Sequence, residues 1–188
     1  MLKKYTAINR SAILMACLLS SAALFAQNPT ATGTINASLI NKNGIALVFV
    51  TDPAGVSLGA SGTSAASLDF GAISAFGPLS GGVTRPSVSA ASYTVRTIFD
   101  VFVITDGGNT TNYNLLVNLA TAAATGLSYK VDAVTLTTTG QTVQTNAAYN
   151  TSVPHNLDLI VSTAAPGAGG PAVGTPITTT INFTATAN

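Results

Sequence analysis

No stretch of twelve residues in this chain carries a helical repeat, whereas period-two alternation of apolar and polar residues returns throughout it. The plainest case is residues 177–187. Ile177, Thr179, Ile181, Phe183, Ala185 and Ala187 fall on one side, and Thr178, Thr180, Asn182, Thr184 and Thr186 on the other. This is the pattern of a half-buried β-strand, made largely of residues that suit a pleated surface. Strands of this kind bury their apolar sides by stacking sheet on sheet.

The other strand candidates follow the same rule. After a polar leader over residues 27–33, Ile35, Ala37 and Leu39 alternate with Asn36 and Ser38. Residues 45–50 are continuously apolar, which predicts cover on both faces. Residues 56–58 read as a short strand, and in 67–71 Leu68 and Phe70 face one way. The longest signal is 93–105, where Tyr93, Val95, Phe99, Val101 and Val103 share a face. Its other face carries Arg96 and Asp100, then Ile98, Phe102 and Ile104, so its second half also reads as buried on both sides. Tyr113, Leu115, Val117 and Leu119 form a further strand. Residues 127–132 form another, which 134–136 would continue across a bulge. Residues 142–145, then Val153, His155, Leu157, Leu159 and Val161, lead to the last strand. Turn signals at 41–44, 52–55 and 106–109, and Gly/Ser/Ala/Pro loops elsewhere, separate them. About eight to ten short strands in this order predict an all-β, antiparallel two-sheet sandwich.

The first 26 residues stand apart. Lys3, Lys4 and Arg10 form a basic start, an apolar run covers 12–25, and Ala26-Gln27 is a plausible cleavage point. These are the parts of a secretory signal peptide, which makes residues 27–188 a single exported domain, secreted or held at a cell surface. The run is short for a transmembrane helix, so no membrane span is expected in the mature chain. Leu14-Met15-Ala16-Cys17 resembles a lipoprotein cleavage box, but cutting there would leave about half of a normal apolar core to the signal. The short basic signal has a bacterial look. Without residues 1–26 the chain has no Cys, Met, Trp or Glu.

What remains excludes several functions. Lys42, Arg85, Arg96 and Lys130 stand against six aspartates, so nucleic acid is not an expected partner. His155 is the one histidine, on the apolar side of a strand, and is expected to be a core or edge residue with its ring hydrogen-bonded. It has no second histidine or cysteine with which to build a zinc site. Asp106-Gly107-Gly108-Asn109 lacks the alternating oxygen ligands of a calcium loop and reads as a turn. Acid–base or nucleophilic catalysis needs cooperating groups that this composition does not supply, so neither enzymatic activity nor a cofactor is expected. Four Asn-X-Ser/Thr sites, at Asn36, Asn109, Asn150 and Asn182, arise by chance in a chain so rich in Asn and Thr. Arg96 and Asp100 lie two side-chain steps apart on one face, about 13 Å, and so are solvated or seek partners on neighbouring strands. An outer-membrane barrel would show aromatic girdles and lipid-facing alternation in every strand, which the runs at Ile45 and Phe102 break.

Ala66-Ser67-Leu68-Asp69-Phe70-Gly71 resembles the LDFG strand of spore-coat-U-like and related chaperone–usher fimbrial subunits. The Thr/Ala/Gly-rich exported chain and the alternating last strand with Phe183 near its end are similar too, although the cysteine pair usual in that group is missing. The resemblance implies an incomplete Ig-like sandwich that polymerises by β-strand addition, a neighbour's N-terminal segment filling the place of a missing strand. Residues 27–40 would be the donor, inserting Ile35, Ala37 and Leu39; Ile177, Ile181 and Phe183 of the last strand belong to the same assembly site. The expected partners are further copies or fimbrial partner subunits, with a periplasmic chaperone. Two alternatives stay open: that 35–39 pairs within its own domain, and that a monomeric sandwich binds a carbohydrate or surface ligand through its loops.

Overall fold

The computed structural model describes residues 30–39, 44–105, 112–171, 174 and 176–188. The signal segment, its cleavage point and the turn at 106–109 lie outside the described residues, as does most of the turn at 41–44. Among the described residues there are eleven strands and no helix. They are β1 (Thr30–Leu39), β2 (Ile45–Val50), β3 (Ala65–Ala72), β4 (Thr84–Val88), β5 (Ser92–Thr105), β6 (Asn112–Leu119), β7 (Leu127–Val131), β8 (Val134–Thr135), β9 (Gln141–Ala148), β10 (Ser152–Ser162) and β11 (Ile177–Ala187). No helix among them is long and apolar enough to cross a membrane.

The strands form two sheets. The first has the order β3-β1-β11-β6-β9, the second β2-β5-β10-β7-β8, with β4 also paired to β5. All pairs are antiparallel except β1 with β11, which run parallel, so the first sheet is mixed and not the purely antiparallel one expected. The core lies between the sheets and is filled by the sides that alternation assigns inward. Leu68 and Phe70 of β3, Leu115, Val117 and Leu119 of β6, and Ile181, Phe183 and Ala185 of β11 face Leu47 and Phe49 of β2, Phe99, Val101 and Val103 of β5, and Leu157 and Leu159 of β10. At its centre Phe183 of one sheet meets Phe49 and Phe99 of the other edge-on, with ring centroids 5.2 and 5.6 Å apart. Such T-shaped contacts are the arrangement that aromatic quadrupoles favour.

Several local expectations are corrected. Residues 30–33 are not leader but the first half of β1, with Ala31 buried. Residues 56–58 are not a strand; Val56 and Leu58 plug the sandwich from a loop, held by Val56 N–H donating to Thr97 Oγ1 at 3.0 Å and Leu58 N–H to Thr51 Oγ1 at 3.0 Å. β4, which carries Pro86, is a strand where the sequence predicts none. It pairs with β5 through a register shift between Thr84 and Ser87, the irregular edge setting where proline is tolerated. Residues 134–136 do not continue β7 but turn back on it, Lys130 opposite Thr135 and Val131 opposite Val134, because Asp132 adopts φ 53°. The apolar runs of β2 and late β5 are covered on one face only. Ala46, Val48, Val50, Ile98 and Phe102 are half-buried on the outer face, and Ile104 is exposed.

Candidate strand-exchange site

β1 occupies an interior slot. On one side it pairs with β11 from Ala31 opposite Ile177 to Leu39 opposite Ala185; on the other it pairs with β3 from Thr30 opposite Ala72 to Asn36 opposite Ala65. β3 has no other strand beside it in this sheet among the described residues, only a bridge from Gly59 to Ser67, so β1 is what joins β3 to the other strands of the sheet. Period two decides which residues point inward. Ala31 and Ile35 are buried and Ala37 is partly buried against the core, while Thr32 and Thr34 are exposed.

The structure brings the sequence-derived residues together. Ile35 lies opposite Ile181 and Ala37 opposite Phe183, while Ile177 faces Ala31 at the start of the strand. Ile35, Ile177, Ile181 and Phe183 are all buried; Leu39 is placed by its backbone register alone. Two further contributors, Ala31 and Gly33, fall in the stretch 27–33, whose polar residues suggest a leader. The signal was present, since Ala31, Gly33 and Ile35 continue the same alternation towards the N-terminus. Gly33 lacks the side chain that would fill its place. A small apolar void lined by Ala31, Ile35, Phe70, Leu157 and Ile177 lies beside it between the sheets.

The charged groups are structural in their geometry. Arg96 grips Asp158 with two hydrogen bonds, Nε to Oδ1 at 2.6 Å and Nη2 to Oδ2 at 2.8 Å, across β5 and β10. The hydrogen bond to Asp158 is the main cause that raises the guanidinium pKa above its ordinary value. Asp100 accepts a hydrogen bond from Ser152 Oγ at 2.8 Å. Each of the two thus finds a cross-strand partner, and they do not pair with each other. His155 is buried against Phe99 with Nδ1 2.9 Å from Asp132 Oδ2. Burial acts to raise the Asp132 carboxyl. The hydrogen bonds from His155 and the Asn156 N–H outweigh it and hold the carboxyl below the usual range. With Asp132 as acceptor, Nδ1 carries a proton, and Nε2 is buried without a partner. Among the described residues no three His, Cys, Asp or Glu side chains cluster as metal ligands would.

No family model matches the chain, and no curated protein matches it. Among solved structures, the major pilin from Streptococcus pyogenes and a point mutant of that pilin are each similar at 12% identity, with a TM-score of 0.13. The matches cover 85% and 84% of this chain and 99% and 98% of the pilin chains.

Proposed function

We propose that this protein is an exported, surface-displayed structural subunit that assembles with its own kind by exchanging β1. The observation that carries the reading is the position of β1. It is the first described strand of the chain, joined to the body through residues 40–44, yet it fills an interior slot that leaves two unpaired strand edges when empty. A strand from another copy would meet the same pairing groups and the same apolar surface, so exchange costs little beyond opening the connection. The hydroxyl- and amide-rich surface and the scarcity of reactive groups suit a structural role and not a catalytic one.

The direction of β1 has a consequence for assembly. A β1 arriving parallel to β11 would bring its Leu39 to the end of the sandwich where the acceptor's own Leu39 lies. The two bodies then meet by the same end and close a reciprocal pair. A strand arriving in the opposite direction would place its body at the other end and leave an open chain. Size-exclusion chromatography with light scattering on the exported protein separates dimer from ladder. Deletion of 27–40 should abolish both, and a synthetic peptide of that sequence should restore the fold without restoring assembly. Ala37→Asp should act likewise, since an unpaired carboxylate buried against the core costs several kcal/mol. Equally stable monomers for all three proteins at high concentration would refute exchange.

A further inference from the structure

β2 is an edge strand that lacks the protection its counterparts have. An edge presents unpaired backbone groups to other chains, and proteins blunt it with charge, proline, a bulge or brevity. The other edges of this sandwich follow that rule. β4 carries Pro86 and a register shift, β8 is two residues long, β9 meets β6 through two register shifts, and β3 carries Asp69 and meets β1 through a bulge. β2 has none of these. Its residues, Ile45–Val50, are all apolar, and its pairing with β5 runs without a shift from Ile45 opposite Thr105 to Val50 opposite Asp100. Short apolar segments of this kind, without charge or proline, stack readily into cross-β assemblies.

What lies against this edge is a strap, residues 59–63, that crosses from one sheet to the other. At one end Gly59 and Ser67 of β3 exchange backbone hydrogen bonds of 2.9 and 3.0 Å. At the other, the Phe49 N–H donates to the Thr63 carbonyl at 2.9 Å, and the Phe49 carbonyl accepts from the Gly62 N–H at 2.6 Å. The next amide on that side, of Thr51, donates to Ser61 Oγ at 3.0 Å. The turn between these contacts is tight. Ala60 and Gly62 take φ 57° and 82°, and Thr63 Oγ1 donates to the Ala60 carbonyl at 2.8 Å. Residues 59–63 are all exposed and add nothing to the core. The strap thus fills the place where a further strand would pair with Phe49.

We infer that residues 59–63 are an edge guard, an autoinhibitory strap that keeps β2 from pairing with β2 of a second copy. A second copy is the matching occupant for a backbone reason. Period two puts the N–H and C=O of Leu47 on the same side as those of Phe49, and two uncharged β2 strands set antiparallel about a two-fold axis present these groups to each other. β2 belongs to the second sheet and β1 to the first, so the guard does not depend on β1 exchange.

Hydrogen exchange and thioflavin T fluorescence on the exported protein test this with Gly62→Pro, which removes the N–H bonded to Phe49 and cannot adopt φ 82°. In the wild type the Phe49 amide should be protected and the protein should stay soluble and dye-negative. In Gly62→Pro the Phe49 and Thr51 amides should exchange at least about tenfold faster, as local opening allows, and dye-positive assemblies should form. The Leu157 amide, within β10 and flanked by a paired strand on each side, should keep its rate and so report an intact sandwich. If Leu157 also accelerates, Ser61→Ala/Thr63→Ala takes the place of Gly62→Pro and is read by the same criteria, since it removes the acceptor for Thr51 and the bond that closes the turn. Adding Val48→Lys, half-buried on the outer face of β2, should abolish the assemblies while Phe49 still exchanges fast, because a charge on an edge strand blocks edge pairing. Unchanged exchange at Phe49, fast exchange without assembly at high concentration, a wild type that assembles equally, or assemblies that persist with Val48→Lys would overturn the proposal. None of these outcomes bears on β1 exchange, which the deletion of residues 27–40 decides separately.

Discussion

Phe183→Ala tests the core most directly. Phe183 is fully buried, and its ring stands edge-on to Phe49 and Phe99, which are themselves 6.1 Å apart. Truncating a buried phenylalanine costs about 3–5 kcal/mol, and each aromatic contact adds about 0.5–1.5 kcal/mol beyond area. Both sheets contribute to this trio, so the gap opens at the seam between them and little can collapse to fill it. A loss of about 4–5 kcal/mol is expected, a large part of the roughly 5–15 kcal/mol that holds an ordinary domain together. Urea unfolding followed by tyrosine emission suits a chain with five tyrosines and no tryptophan. At a typical slope of about 2 kcal/mol per molar, the midpoint should fall by about 2 M. Thr180→Ala, half-buried on the opposite side of the same strand, should move the midpoint by the equivalent of less than about 0.5 kcal/mol. A double-mutant cycle with Phe49→Ala should return a coupling of about 0.5–1.5 kcal/mol. Equal losses at Phe183 and Thr180, or zero coupling to Phe49, would refute the inward assignment of β11.

Gly33→Ala should stabilise by about 0.4–1 kcal/mol, read as a raised melting temperature, because its Cβ would meet only the Leu68 carbonyl at 3.8 Å. Gly55→Ala should destabilise strongly in the same assay, since its Cβ would lie 1.8 Å from the Ile98 carbonyl. The Asp132 carboxyl is held below its ordinary pKa, so its contribution is fully present above the unfolded value of about 3.9 and is lost as pH falls through the folded value. The stability gap between wild type and Asp132→Asn should accordingly be constant near neutrality and shrink in acid; a gap that widens as pH falls would contradict this sign. Arg96→Ala should cost more than the double variant Arg96→Ala/Asp158→Asn in urea unfolding, because the single change leaves a carboxylate whose side chain is only 7% exposed without its partner.

The sequence alone determined the fold class and, for most strands, which side faces inward. Alternation with period two is a local property, and it correctly assigned Ile181 and Phe183 on β11, Leu115 and Val117 on β6, and Leu157 and Leu159 on β10. It also placed His155 among apolar neighbours with a bonded ring. Local pattern carries no information about which strand lies alongside. Only the closed sandwich decided that β1 runs parallel to β11, some 140 residues away, and that Arg96 meets Asp158 and not a residue of its own strand. It likewise decided that Asp132 reverses the chain, and that β4 serves as an edge despite Pro86. The apolar outer faces of β2 and late β5 mark the limit most clearly. An unbroken apolar run says that both sides tolerate burial, but whether a second layer covers them depends on how many sheets the whole chain can build. The described strands build two, so one face of each outer layer meets solvent.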